Sequence, residues 1–140
     1  METRFRQKLS SLNSTLSLLE DEEHIDLITE LSETVQSLSI AVGSGGSLVS
    51  AHYFRKCIKE LSGKDAPVQT PMQVVFEPSF LLKTNVWLFS ASADNSDIAA
   101  AAHAAIERGA DRLILVTRNT QGMVADFVRT SGGAVIGVPV

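Results

Sequence analysis

Apolar positions in the N-terminal part of the chain recur at helical intervals. Phe5, Leu9, Leu12, Leu16 and Leu19 follow at alternating steps of four and three, which lines one face of a helix. The acidic run Glu20-Asp21-Glu22-Glu23 separates this stripe from a second one, Ile25, Ile28, Leu31, Val35 and Leu38. Residues 1–38 are therefore expected to form two amphipathic helices. Such a hairpin packs either on the rest of the chain or on a partner subunit, and the heptad-like spacing of the first helix keeps dimerisation open.

Beyond Leu38 the pattern changes to strands alternating with helices. A short strand over 39–42 runs into Gly43-Ser44-Gly45-Gly46-Ser47, and a helix over 48–61 stops at Ser62-Gly63, a glycine C-terminal signal. Residues 64–71 read as a loop and 73–76 as a second strand, broken by Pro78, with a helical turn up to Lys83. A third strand over 86–89 is apolar on both faces, as buried parallel strands are. The polar stretch Ser90-Ala91-Ser92-Ala93-Asp94-Asn95-Ser96 follows, then a helix over 97–108 with Ser96 as N-cap and Gly109 as its C-terminal stop. Strands over 113–116 and 134–138 complete the series. This alternation predicts an α/β domain over 39–140, a three-layer α/β/α sandwich with a parallel sheet and right-handed crossovers.

Composition narrows the class. In a chain of 140 residues, 44% hydrophobic content supplies the core of one domain. The formal charge of −4, with basic residues scattered, excludes a broad nucleic-acid footprint. The opening stretch is polar and has no signal-peptide pattern, and His103 and Glu107 interrupt the alanine-rich segment, so no membrane span is expected. Cys57 is the only cysteine, which rules out an internal disulfide and fits a reducing, cytoplasmic compartment.

Candidate chemistry lies in the two loops that follow the first and third strands. In an open parallel sheet, ligands sit outside the carboxyl ends of strands, where the next helices begin. Gly45 and Gly46 let the backbone approach a ligand closely, and Ser44 and Ser47 add hydroxyls. Ser90, Ser92, Asn95 and Ser96 repeat the arrangement before a second helix start. Such donors suit an anion, phosphate above all, without requiring lysine or arginine. The first loop lacks the third glycine of a dinucleotide fingerprint and the GK[ST] ending of a nucleoside-triphosphate loop.

These residues resemble the sugar isomerase (SIS) family. Gly43-Ser44-Gly45-Gly46-Ser47 with Ala51-His52-Tyr53-Phe54 is similar to the first loop and helix of phosphoheptose isomerases. The stretch from Ser90 to Asp97 resembles the family's serine-rich phosphate loop. Leu115-Val116-Thr117-Arg118-Asn119 and Val124-Ala125-Asp126-Phe127-Val128 are similar to a later strand, its turn and an "AD-x-V" segment. The resemblance implies a phosphorylated sugar held at Ser90 and Ser92, with Asn95 or Ser96 beside them and Ser44 and Ser47 on the sugar side. It also implies a homo-oligomer, a dimer or tetramer, with no cofactor.

The sequence departs from the family at four places. Ala93 replaces a glycine, Asp94 adds a negative charge beside the expected anion site, and Tyr53 stands about where zinc-binding relatives carry histidine. The sequence ends at Val140, before the C-terminal helix on which relatives often carry catalytic groups. His52, one turn into its helix, is the single histidine placed to be tested as a proton-shuttling base. His24, His103, Glu60 and Glu107 lie away from the loops, and no cluster has metal-ligand spacing. Two readings follow: a sugar-phosphate-binding domain of isomerase type, or a non-catalytic sensing or dimerisation module of a larger protein.

Overall fold

The computed structural model describes residues 37–77 and 81–138. The expected helices of residues 1–38 lie outside the described residues, apart from Leu38, which belongs to a strand. Nine elements alternate: β1 Leu38–Val42, α1 Ser47–Ser62, β2 Val68–Gln69, α2 Pro71–Phe76, β3 Thr84–Phe89, α3 Ser96–Glu107, β4 Arg112–Thr117, α4 Met123–Thr130 and β5 Ala134–Gly137. The five strands form one parallel sheet in the order β2-β1-β3-β4-β5.

Side-chain alternation along each strand divides the core into two layers. Ala41, Trp87, Phe89, Ile114 and Ile136 face α1, which contributes Ala51, Phe54 and Ile58. The Phe54 ring lies 4.6 Å from that of Trp87 and 5.5 Å from that of Phe89, so three aromatics anchor this helix to the sheet. On the opposite face Ile40, Val42, Val86, Leu88, Leu113 and Leu115 meet Val74 of α2, Ile98, Ala101, Ala102 and Ala105 of α3, and Val124, Ala125 and Val128 of α4. The alanines of α3 let that helix sit close to the sheet. The fold is thus the expected three-layer α/β sandwich. Helices lie on both faces because the first crossover steps one way along the sheet and the later ones step back.

Two elements differ from the sequence reading. Residues 73–76 are not a strand: they are the end of α2. Val74, Val75 and Phe76 have strand propensity, but the local capping chemistry overrides it. The Thr70 hydroxyl accepts from the Gln73 backbone N–H, the Gln73 side chain accepts from Thr70 N–H, and Pro71 occupies the first helical turn. The edge strand instead falls at Val68–Gln69, inside the segment read as loop, where Ala41 and Val42 pair with it. Helix α4 was not foreseen as an element.

Helix ends follow the expected signals closely. Gly63 closes α1 in the left-handed conformation at φ 73°, and Gly109 follows α3 at φ 82°. The N-cap of α3 is Asn95 and not Ser96, because its Oδ1 accepts the Asp97 N–H at 2.7 Å.

Candidate functional site

The strand order reverses between β1 and β3. From β1 the chain passes to α1 on one face, and from β3 it passes to α3 on the other, so the two following loops part above the sheet. A crevice opens at such a switch point, outside the carboxyl ends of the strands. β1 and β3 are direct neighbours, with Val42 opposite Leu88. Residues 43–46 and 90–95, both singled out in the sequence, are therefore side by side at this edge.

In the first loop Gly43 is buried, and its N–H donates to the Gln69 carbonyl at 3.2 Å, which ties the loop to the end of β2. A Cβ at residue 43 would meet the Ser47 carbonyl oxygen at 2.7 Å, so the close approach of strand end and helix start requires glycine. Gly45 takes φ 54°. The N–H groups of Ser47, Leu48 and Val49 donate to the carbonyls of Ser44, Gly45 and Gly46 at 3.0, 3.2 and 3.3 Å. The first turn of α1 thus uses donors that the sequence reading left for a ligand. What the loop offers is the half-buried Ser44 and Ser47 hydroxyls and the exposed backbone of Gly45 and Gly46. No side chain caps α1, so the positive end of its dipole is not offset there.

The second loop orients its serines through its own backbone. Ser90 is 6% exposed, and its Oγ accepts the Ala93 N–H at 3.2 Å. Ser92 Oγ accepts the Asp94 N–H at 3.3 Å, and Asn95 is spent as the cap of α3. A hydroxyl that accepts one backbone hydrogen bond still has its own proton to donate, so both serines keep the polarity an anion needs. Ser92, Asn95 and Ser96 are exposed in part or in full, Ser92 at the mouth of the loop. Ala93, where a glycine was the expectation, does adopt a left-handed φ of 53°, and its methyl is fully buried.

Asp94 is not a free charge beside the loop. Its Oδ1 accepts the Met123 N–H at 2.8 Å, at the first turn of α4. This corrects the expectation of an uncompensated carboxylate, because the N-terminal end of a helix offsets negative charge.

Other candidate side chains do not converge on the crevice. His52 is exposed on α1, whose buried face is Ala51, Phe54 and Ile58. Tyr53 is exposed beside half-buried Cys57, and its phenol is held above the ordinary range, first by charge repulsion with Cys57 and then by burial. His103 is exposed on α3, its ring 3.8 Å from that of Phe127. Arg118, just past β4, is exposed. Among the described residues no group of three or more His, Cys, Asp or Glu could hold a metal ion, and no helix is long and apolar enough to cross a membrane.

No protein-family model matches the sequence, and no curated protein does. Solved structures match with the whole fold. One is an Escherichia coli CFT073 protein in complex with a phosphorylated sugar, with TM-score 0.70 and 18% identity, covering 100% of this chain and 76% of that one. Another is tagatose-6-phosphate ketose/aldose isomerase from Escherichia coli, with TM-score 0.67 and 16% identity over 95% of this chain. A third is the Vibrio vulnificus NanR protein complexed with ManNAc-6P, at 0.67 and 14% identity over 99% of this chain. This chain has the fold of sugar isomerase (SIS) domains. It spans only 36% of the tagatose-6-phosphate isomerase chain and 51% of NanR.

Within this SIS fold, sequence reasoning missed the residues that hold the serine loop from behind. Thr117 Oγ1 lies 3.2 Å from the Ala91 carbonyl oxygen, and Asn119 Nδ2 donates to the Ser92 carbonyl at 2.9 Å. Val124 N–H donates to the Ala93 carbonyl at 2.8 Å. Gly122 packs so closely that an added Cβ would meet the Ala93 carbonyl oxygen at 2.6 Å. The turn Thr117-Arg118-Asn119 was noticed as a resemblance, but only the folded chain brings it against residues 91–94.

Proposed function

We propose that the chain is a phosphosugar-binding domain of sugar-phosphate isomerase type, with the phosphate at Ser90 and Ser92 and the sugar toward Ser44 and Ser47. One observation carries this reading: two donor-rich loops stand side by side at the topological switch point, and the serine hydroxyls of the second keep a proton for an anion. Support also comes from folds of the same kind that hold phosphorylated sugars, one in the Escherichia coli CFT073 protein and ManNAc-6P in NanR. Gly45 and Gly46 would let the sugar approach the backbone, while Asn95 and Ser96 would complete the rim.

NanR with ManNAc-6P and the ketose/aldose isomerase share this fold, so fold by itself leaves both binding and isomerisation within reach. For isomerisation, His52 is the base to test, because proton transfer between neighbouring sugar carbons needs such a group. Assembly as a homo-oligomer, dimer or tetramer, in the cytoplasm completes the proposal. A single cysteine supports the reducing compartment.

A thermal-shift screen over pentose, hexose and heptose phosphates tests the reading. At least one should raise Tm in a concentration-dependent way, as a ligand that binds only the folded state must. Failure of all three classes would overturn the proposal. If a phosphate binds, solvent exchange of the sugar's C1 and C2 protons, followed by NMR, separates the two activities. Exchange lost in His52→Ala supports isomerisation, and binding without exchange supports sensing.

A further inference from the structure

Three consecutive carbonyls of the serine loop are turned toward one neighbouring segment. Ala91 O faces the Thr117 hydroxyl at 3.2 Å, Ser92 O accepts from Asn119 Nδ2 at 2.9 Å, and Ala93 O accepts from Val124 N–H at 2.8 Å. The carboxylate of Asp94 follows the same direction, to Met123 N–H at 2.8 Å, and Ser90 N–H donates to Val116 O at 3.1 Å. Five contacts thus run from residues 90–94 to residues 116–124, across the β3–β4 neighbour pair. Carbonyl and carboxylate oxygens are the groups that repel an anion. Here each is paired on the side of β4 and α4, and the serine hydroxyls are left as the polar groups of the loop.

The side chains that do this are themselves held. Thr117 is 1% exposed, and its hydroxyl accepts the Asn119 N–H at 3.0 Å. Asn119 uses both ends of its amide, since Oδ1 accepts the Gln121 N–H at 3.1 Å while Nδ2 reaches Ser92. The left-handed Ala93, a costly conformation for a residue with a side chain, is retained because the surrounding contacts over-determine it.

We infer that Asp94 and Asn119 are positioning residues: they hold the serine loop in its anion-accepting form by turning its oxygen atoms toward the start of α4. The inference rests on the phosphosugar reading of that loop. It makes Asp94, a negative charge next to an anion site, a residue that favours anion binding.

That sign is what the experiment reads. Calorimetry with the sugar phosphate that binds the wild type best, and with inorganic phosphate as a second probe, is run on Asp94→Ala, Asp94→Asn and Asn119→Asp. If Asp94 positions the loop, Asp94→Ala weakens binding by about tenfold, the loss expected for one hydrogen bond. Asp94→Asn keeps an oxygen for Met123 N–H and should hold affinity at or above the wild-type level. Asn119→Asp should weaken binding by at least as much as Asp94→Ala, because it sets a carboxylate oxygen against the Ser92 carbonyl. If Asp94 acts only through its charge, Asp94→Ala and Asp94→Asn both tighten binding, and the inference is overturned.

Amide hydrogen exchange in the unliganded variants gives a readout independent of any ligand. The Ala93 and Asp94 amides should exchange faster in Asp94→Ala and Asn119→Asp, with the central strands unchanged. Unchanged loop exchange would also refute the inference. A wild type that binds no sugar phosphate defeats the phosphosugar reading itself, which is seen before any variant is made.

Discussion

At residue 122 the structure leaves no room for a side chain. A methyl there would meet the Ala93 carbonyl oxygen at 2.6 Å and the Ala93 methyl at 2.7 Å, so Gly122→Ala must move the serine loop. We expect the variant to lose about 2 kcal/mol of stability, in the range of overpacked cores, as measured by urea denaturation. Adding Ala93→Gly should recover little of it, because the closest clash is with backbone and not with the methyl. Full recovery would show that the two side chains alone set the spacing. The serines of both loops were legible in the sequence because their type and place after a strand are local signals. The roles of Asp94, Asn119 and Gly122 were not legible. They depend on contacts between residues 27 and 29 positions apart, which only the parallel pairing of β3 and β4 creates.

Among elements, α2 shows how two local signals can compete. The run Val74-Val75-Phe76 carries β propensity, yet Thr70-Pro71 followed by Gln73 is a capping box with proline in the first turn, and the cap prevails. Thr70→Ala should therefore cost about 1 kcal/mol, read as a lowered Tm with the native circular dichroism retained. The other strands and helices that the sequence reading named were legible to within about two residues, because apolar runs of four to six with glycine or serine at their ends admit few alternatives.

A second prediction at this scale concerns α1, which is fastened to the segment before β2 by Arg55. The guanidinium bonds both carboxylate oxygens of Asp65, at 2.7 and 2.8 Å, and this hydrogen bonding holds the Asp65 carboxyl below the usual aspartate range. A carboxyl whose pKa is lower in the folded state stabilises the fold above its unfolded pKa, and the contribution is lost as pH falls through the folded value. The pair is exposed, so Asp65→Asn should lower Tm at neutral pH by no more than about 3 °C. The gap between variant and wild type should close in acid and shrink in high salt. A gap that widened in acid would contradict this account.

For the molecule as a whole, the decisive feature is topological. The order β2-β1-β3-β4-β5 puts the one reversal between the two strands whose following loops carry the glycines and serines. The sequence showed strands and helices in alternation but could not show that β1 and β3 are neighbours, because pairing between strands separated by α1, β2 and α2 is set by packing on both faces. With that pairing, two ordinary polar loops become the two walls of one crevice. The central claim is that this crevice receives the phosphate of a sugar phosphate. It is tested most directly by titrating the 15N-labelled chain with the sugar phosphate that gives the largest thermal shift, following backbone amides by NMR. The account predicts saturable shifts concentrated at residues 43–47 and 90–96, lost in the Ser90→Ala, Ser92→Ala double variant. Saturable shifts centred elsewhere on the molecule, or unchanged by that double substitution, would contradict it.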